Sequence, residues 1–227
     1  MNFQIDTVNI PKYREYVEWS NFWYDRANEC VVPRLLIIGD STARMVRSTL
    51  AKLTDMPVDL LASSSSIDDA LFVNQVNTFF AGVDNRYSAI YIQLGHHGRV
   101  NKEGGEYTES DFEKYRFDLI TLIDYLRQYT DKIILETIFD AVEAKNIIKY
   151  VFCKCGFIKE KFDDTINRIT RRKNDIIRDI AQNDNLGGLF FLDINERVNR
   201  MNFVRIDHIH FEKKAKQYIA NEMKLFI

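Results

Sequence analysis

Ser41 stands in "LLIIGDSTARMV", Leu35 to Val46, where an aliphatic run ends abruptly in Gly-Asp-Ser and continues with helical spacing. An apolar run closed by glycine and followed by a helical pattern is the signature of a buried strand feeding a tight turn, which puts Ser41 at a helix N-terminus. One reading makes Asp40, Ser41 and Thr42 capping residues, because Ser, Thr and Asp side chains satisfy the free N–H groups of a first helical turn. The other makes Ser41 a nucleophile at the open end of a parallel sheet, where doubly wound folds bind their ligands. Near the far end, "VRIDHIHFEKKAKQY" sets Asp207 and His210 three apart, just before a terminal helical pattern. A turn there brings carboxylate and imidazole into hydrogen-bond reach. A serine hydroxyl is a weak nucleophile at neutral pH and needs an imidazole to accept its proton. The imidazole in turn needs a carboxylate to fix its tautomer and stabilise its cation. Ser41, His210 and Asp207 supply these three roles. His208 is the rival base, but as the next neighbour of Asp207 it projects differently. The plainer reading of "DHIH" is a helix cap with two surface histidines. A metal site would need further ligands, and only His96 and His97 remain.

Acyl transfer also requires donors aimed at the oxygen that becomes an anion in the tetrahedral intermediate. The backbone N–H of Ser41 is one, helped by the helix dipole. A second comes from the backbone of "ASSSSID", where the chain leaves its second strand, and a third from His97 in "YIQLGHHGRV". A structural histidine bonded to a loop carbonyl is the competing account of His97.

Positioning these residues requires a sheet with its strand ends on one side. Short apolar runs alternate with amphipathic ones along most of the chain, which argues for a parallel sheet with crossover helices. The expected strands are Leu35–Ile38, Val58–Leu61, Ala89–Leu94, Lys132–Ile138 and Leu189–Leu192. The expected helices are Thr42–Lys52, Ile67–Phe80, Ser110–Tyr129, Phe162–Gln182 and Phe211–Phe226. The N-terminal piece, about residues 1–31, reads as an added helical segment whose aromatic stripe in "YREYVEWSNFWYDRANE" packs on the domain. Two connections are longer than packing requires, and long loops beyond strand ends often carry binding function. "GHHGRVNKEGGEYTES" is glycine-rich and polar, which suits a hydroxyl-rich ligand. The stretch from Asp140 to Lys161 is apolar, and is expected either to wall a pocket with Tyr150, Phe152 and Phe157 or to close a small satellite core.

Composition bounds the rest. With 227 residues, 46% hydrophobic and 28% charged, one domain with a full core is the default, and no linker or repeat divides it. The 31 basic and 33 acidic residues leave a formal charge of −2, so nucleic acid and anionic membrane are not expected partners, and a small or neutral ligand is. No basic leader and no bilayer-length apolar window is present, so a soluble, cytoplasmic protein is expected. Cys153 and Cys155 in "FCKCG" are too close for an easy disulfide and lack a second pair for zinc, so free thiols are expected. "GDSTAR" has neither a dinucleotide nor a phosphate-loop glycine pattern, and it lacks the second glycine of a Gly-x-Ser-x-Gly elbow.

Gly39-Asp40-Ser41 after the first strand, Gly95 opening a polar loop after the third, and Asp207-x-x-His210 before the last helix together resemble the GDSL or SGNH hydrolase family. The resemblance runs from Leu35 to the C-terminus in the expected order. It implies a three-layer α/β/α sandwich, a flavodoxin-like five-stranded parallel sheet, and a serine esterase or O-acyltransferase with no metal or organic cofactor. By that analogy Ser41 is the nucleophile, His210 the base and Asp207 its orienter, with Ser41, Ser66 and His97 forming the oxyanion hole. Gly95, His96 and Asp40 are then substrate-binding. The sequence departs from the family pattern twice. Ser63 to Ser66 stand where a glycine donor is usual, and Gly95-His96-His97-Gly98 stands where Gly-x-Asn-Asp is usual, so that His97 replaces the asparagine, as a histidine does in some carbohydrate-acyl esterase branches. The expected activity is removal or transfer of a small acyl group, preferably acetyl, on a carbohydrate or similar ester. A catalytically impaired glycan-binding module and a lipid esterase are the alternatives.

Overall fold

The computed structural model describes residues 2–6, 18–29, 33–82, 86–98 and 107–227. Its sheet has six strands, β1 (Ser20–Trp23), β2 (Leu35–Gly39), β3 (Val58–Ser63), β4 (Ala89–Gln93), β5 (Ile133–Glu136) and β6 (Leu189–Leu192), in the order β1-β3-β2-β4-β5-β6. All neighbours pair in parallel except β1, which runs antiparallel to β3. Seven helices complete the described chain: α1 (Ser41–Thr54), α2 (Ala70–Phe80), α3 (Glu109–Leu126), α4 (Ile147–Lys154), α5 (Asp164–Gln182), α6 (Ile194–Arg200) and α7 (Lys213–Lys224).

Both faces of the sheet are covered, which is why the strands read as continuous aliphatic runs rather than as an alternation. Leu36, Ile38 and Ile92 point to one side, against Val76 of α2, Leu122 of α3 and Ile177 of α5. Leu35, Ile37 and Tyr91 point to the other, against Val46 of α1, Val198 of α6 and Ile219 of α7. The result is an α/β/α sandwich. Helix starts are marked as the sequence chemistry demands: Asp40, Asp69, Asn146, Asp163 and Asp193 each accept a backbone N–H of their helix, and Thr108 forms a capping box with Asp111. No helix among the described residues is long and apolar enough to cross a membrane.

Three features differ from the sequence expectation. The sheet has a sixth strand because Ser20–Trp23, expected within a helix, pairs along the exposed edge of β3. Covering a strand edge satisfies a whole row of backbone groups, and aromatic residues such as Phe22 suit a half-buried strand. Phe22 meets Phe79 of α2 edge-on at 5.7 Å. Residues 7–17 of the expected helix lie outside the described residues. Second, the Asp140–Lys161 connection contains α4. Third, α6 is an additional short helix between β6 and α7.

Helix α5 shapes the segment after β5. Asn174 accepts from the Ile138 N–H at 2.7 Å and donates to its carbonyl at 2.9 Å, while Asn167 does the same for Ala141 at 2.7 and 2.8 Å. Each amide stands in for a neighbouring strand. All four bonds are buried, so truncation leaves backbone groups with no water to turn to. Asn174→Ala should therefore destabilise the fold by about 2 kcal/mol, from two buried polar groups left unpaired; urea unfolding of the two proteins reads this directly.

Candidate active site

The strand-turn-helix from β2 to α1 needs glycine at position 39. A Cβ there would lie 2.5 Å from the Ala43 Cβ and 2.8 Å from the Gln93 carbonyl oxygen, so α1 could not start this close to the sheet. Ser41 is then the first residue of α1. Asp40, expected to touch substrate, does not line the cleft. Its side chain is buried and accepts from the Thr42 N–H at 2.8 Å and the Thr42 hydroxyl at 2.7 Å. The free Thr42 amide of the first turn draws the carboxylate inward.

His210 Nε2 lies 2.7 Å from Ser41 Oγ, and His210 Nδ1 lies 2.7 Å from Asp207 Oδ2. The other carboxylate oxygen accepts from the backbone N–H groups of Ile209 at 2.8 Å and His210 at 2.7 Å. Partial burial pushes the Asp207 carboxyl up. The hydrogen bonds from the His210 ring and the two amides, with the charge of the imidazole, outweigh it and hold the group well below its ordinary value. His208, the rival base, stands 4.0 Å from Asp207 at its nearest and is half exposed.

The turn carrying this pair is clamped on both sides. Arg205 and Phe211 form an antiparallel bridge, and the Ile206 N–H donates to the His210 carbonyl at 2.6 Å. The Arg205 guanidinium lies over the Phe211 ring at 4.6 Å. Lys145 pairs with Glu160 and donates to the Arg205 carbonyl at 3.1 Å, and Glu160 accepts from the Arg205 N–H at 2.8 Å. From the segment shaped by α5, the Val142 N–H donates to the His208 carbonyl at 2.9 Å.

The loop after β4 approaches from the third side. Gly95 has φ +145°, and a Cβ there would lie 2.2 Å from Ile138 Cδ1. The Gly95 carbonyl accepts from Lys173 at 3.2 Å, and that buried ammonium sits over the rings of Tyr107 and Tyr115 at 4.8 and 4.9 Å. His96 is buried and His97 half-buried, and both line the cleft at Ser41. Ser66 does not line it. Ser66 backs onto Gly98, where a Cβ would lie 2.2 Å from its hydroxyl oxygen, so the loops after β3 and β4 pack directly together. Residues 99–106, most of the glycine-rich stretch, lie outside the described residues.

The cleft, about 360 Å³, is lined by Trp19, Ser41, Arg44, His96, His97, His208, Ile209 and His210. Arg44 and Trp19 were not foreseen as site residues. Arg44 had a signal, the helical spacing of three from Ser41 that places both on one face. Trp19 had none, because its place depends on the pairing of β1. The Asp140–Lys161 connection does not cover the cleft. Tyr150 donates to Glu212 at 2.9 Å, and Phe152 and Phe157 meet each other at 5.8 Å while remaining exposed. Part of that connection instead walls a separate groove of about 430 Å³, between Cys153, Glu160 and Phe162 on one side and Asn199, Phe203 and Arg205 on the other. Cys153 and Cys155 are free thiols. Among the described residues, no group of three or more His, Cys, Asp or Glu is arranged to hold a metal ion.

No protein-family model matches the chain, and no curated protein is significantly similar to it. Solved structures do share its fold. A protein of Slackia heliotrinireducens described as a putative SGNH hydrolase superposes with a TM-score of 0.58 at 14% identity, over 86% of this chain and 99% of that one. The acetylxylan esterase of Geobacillus stearothermophilus gives 0.54 at 16% identity over 85% and 92%. The C-terminal catalytic domain of the peptidoglycan O-acetyltransferase of Streptococcus pneumoniae gives 0.57 at 14% over 86% and 93%. The α/β sandwich of this chain is the SGNH hydrolase fold.

Proposed function

We propose that the chain is a serine esterase or O-acyltransferase that removes or moves a small acyl group, preferably acetyl, on a carbohydrate or similarly hydroxyl-rich ester. The observation that carries this reading is the unbroken relay Ser41–His210–Asp207, with both links at 2.7 Å. Ser41 Oγ attacks the ester carbonyl as His210 Nε2 takes its proton. The tetrahedral intermediate collapses when His210 returns the proton to the departing alkoxide. Water, or an acceptor hydroxyl, then attacks the acyl carbonyl as it gives its proton to His210, and the ring returns that proton to Ser41 Oγ as the serine–acyl bond breaks. The Ser41 N–H at the start of α1 and the His97 ring are the proposed donors to the oxyanion.

The preference for acetyl on a carbohydrate is supported by the acetylxylan esterase and peptidoglycan O-acetyltransferase that share the fold, and by a cleft lined mainly with polar side chains. The aromatic loop that would favour a lipid ester lies elsewhere. The glycan-binding alternative draws on both departures from the family pattern, the serines at Ser63 to Ser66 where a glycine donor is usual and Gly95-His96-His97-Gly98 where Gly-x-Asn-Asp is usual.

A 4-nitrophenyl ester series, acetyl to octanoyl, tests the reading together with a fluorophosphonate probe. Acetyl should be turned over fastest, and the probe should label Ser41 only while His210 is intact. A folded protein that leaves both ester and probe untouched would point to the binding module. Fastest turnover of octanoyl would point to a lipid.

A further inference from the structure

The chain contains four histidines, and all four line the cleft at Ser41. The cleft residues include a fifth basic side chain, Arg44, and no Asp or Glu among those described. The carboxylate of the relay, Asp207, is engaged by His210 and by two backbone amides.

Arg44 differs from Arg47, one turn further along α1. Arg47 is a structural cation: it lies over Trp23 at 4.5 Å, stands 3.4 Å from Asp25 and donates to the Val58 carbonyl at 3.2 Å. Arg44 also lies over an aromatic face, that of Trp19 at 4.9 Å, but it has no carboxylate partner among the described residues and is exposed to the cleft. A guanidinium held over a ring still has N–H groups to offer, and its planar fork matches the oxygens of a carboxylate or sulfate. Stacking also removes part of the rotamer freedom that a free arginine would lose on binding. Trp19 is therefore more than a wall, because it holds the cation in place.

We propose that Arg44, stacked on Trp19, is an oxyanion subsite, and that the natural ester is acidic. Ser41 and Arg44 lie three apart on α1, so the negative group would sit on the same helix face as the carbonyl that Ser41 attacks. A sugar acid ester, with a ring carboxylate near the acylated hydroxyl, has this chemistry. A sulfated sugar ester offers the same charge from a different source. The inference rests on the proposed esterase reading for the identity of the ester, but the subsite itself can be probed without turnover.

Two measurements separate these. The first compares kcat/KM for acetylated methyl glucuronoside, acetylated methyl glucoside 6-sulfate and neutral acetylated methyl glucoside. An acidic ester should be favoured over the neutral one by about tenfold or more, the effect of one charge-assisted hydrogen-bonded contact. The advantage should fall with added salt, collapse towards one in Arg44→Gln, and survive in part in Arg44→Lys. The larger of the two acidic responses identifies the source as carboxylate or sulfate, and either upholds the subsite. An unchanged acidic-to-neutral ratio in Arg44→Gln would overturn it, as would an equal loss on all three esters, which would make Arg44 a general transition-state cation. The second measurement titrates the deacetylated glycosides into Ser41→Ala by calorimetry, with and without Arg44→Gln. Tighter binding of an acidic glycoside that depends on Arg44 supports the subsite even if no ester is hydrolysed. Equal binding of acidic and neutral glycosides overturns it whether or not the esterase reading stands.

Discussion

Ser41→Ala should lower kcat on an acetyl ester by about 10⁴- to 10⁶-fold, to the residual rate of a pre-formed cleft without its nucleophile. The fold should not pay for this change. The cap of α1 is the Asp40 side chain, and the Ser41 hydroxyl is bonded to His210 alone among the described hydrogen bonds. Helix and sheet therefore keep their contacts, and thermal unfolding should match the parent closely. His210→Ala should cost a similar factor, and the double variant should be no worse than either single one, because nucleophile and base act as one unit. Additive losses in the double variant would mean that His210 acts elsewhere than on Ser41. Steady-state kinetics of the three variants decides it.

Asp207→Asn should cost about 10³- to 10⁴-fold in kcat while keeping the turn. An asparagine can still accept the Ile209 and His210 amides through its carbonyl oxygen. Its NH₂ group, however, would face His210 Nδ1 and force the proton onto Nε2, where the ring must instead accept from Ser41. The loss is one of tautomer rather than of position. Stability gives an independent readout with a definite sign. The Asp207 carboxyl is held below its ordinary value of 3.8 in the fold, so its contribution is fully present above that pH and is lost as pH falls through the lower folded value. Below about pH 4 the difference in urea midpoint between parent and Asp207→Asn should shrink. A difference that grows as pH falls further from 4 would contradict the hydrogen bonds assigned to this carboxylate.

Local pattern carried much of the architecture. The run Leu35–Ile38 had to be a covered strand because nothing in it alternates, and Asp40 and Ser41 had to open a helix because a glycine stop and a helical spacing flank them. The same reasoning placed β3, β4, β5 and β6 in chain order. It failed at Ser20–Trp23, where the charged and aromatic spacing suits a helix and the free edge of β3 decided otherwise. It also misjudged Phe152 and Phe157. An apolar loop reveals that it must cover something, but not what.

The sequence by itself determined which residue types are available for acyl transfer and which strand ends present them, because strand period, turn chemistry and capping are local properties. Only the tertiary structure decided that a hydroxyl and an imidazole 169 residues apart meet at 2.7 Å, that Asp40 turns inward, and that Trp19 and Arg44 share the cleft with all four histidines. Those outcomes depend on the register of β1 on β3, on the amides of α5 that hold the segment after β5, and on the clamp around Arg205. Each draws on contacts between distant parts of the chain, such as Glu160 with Arg205, and no local window contains both partners of those contacts.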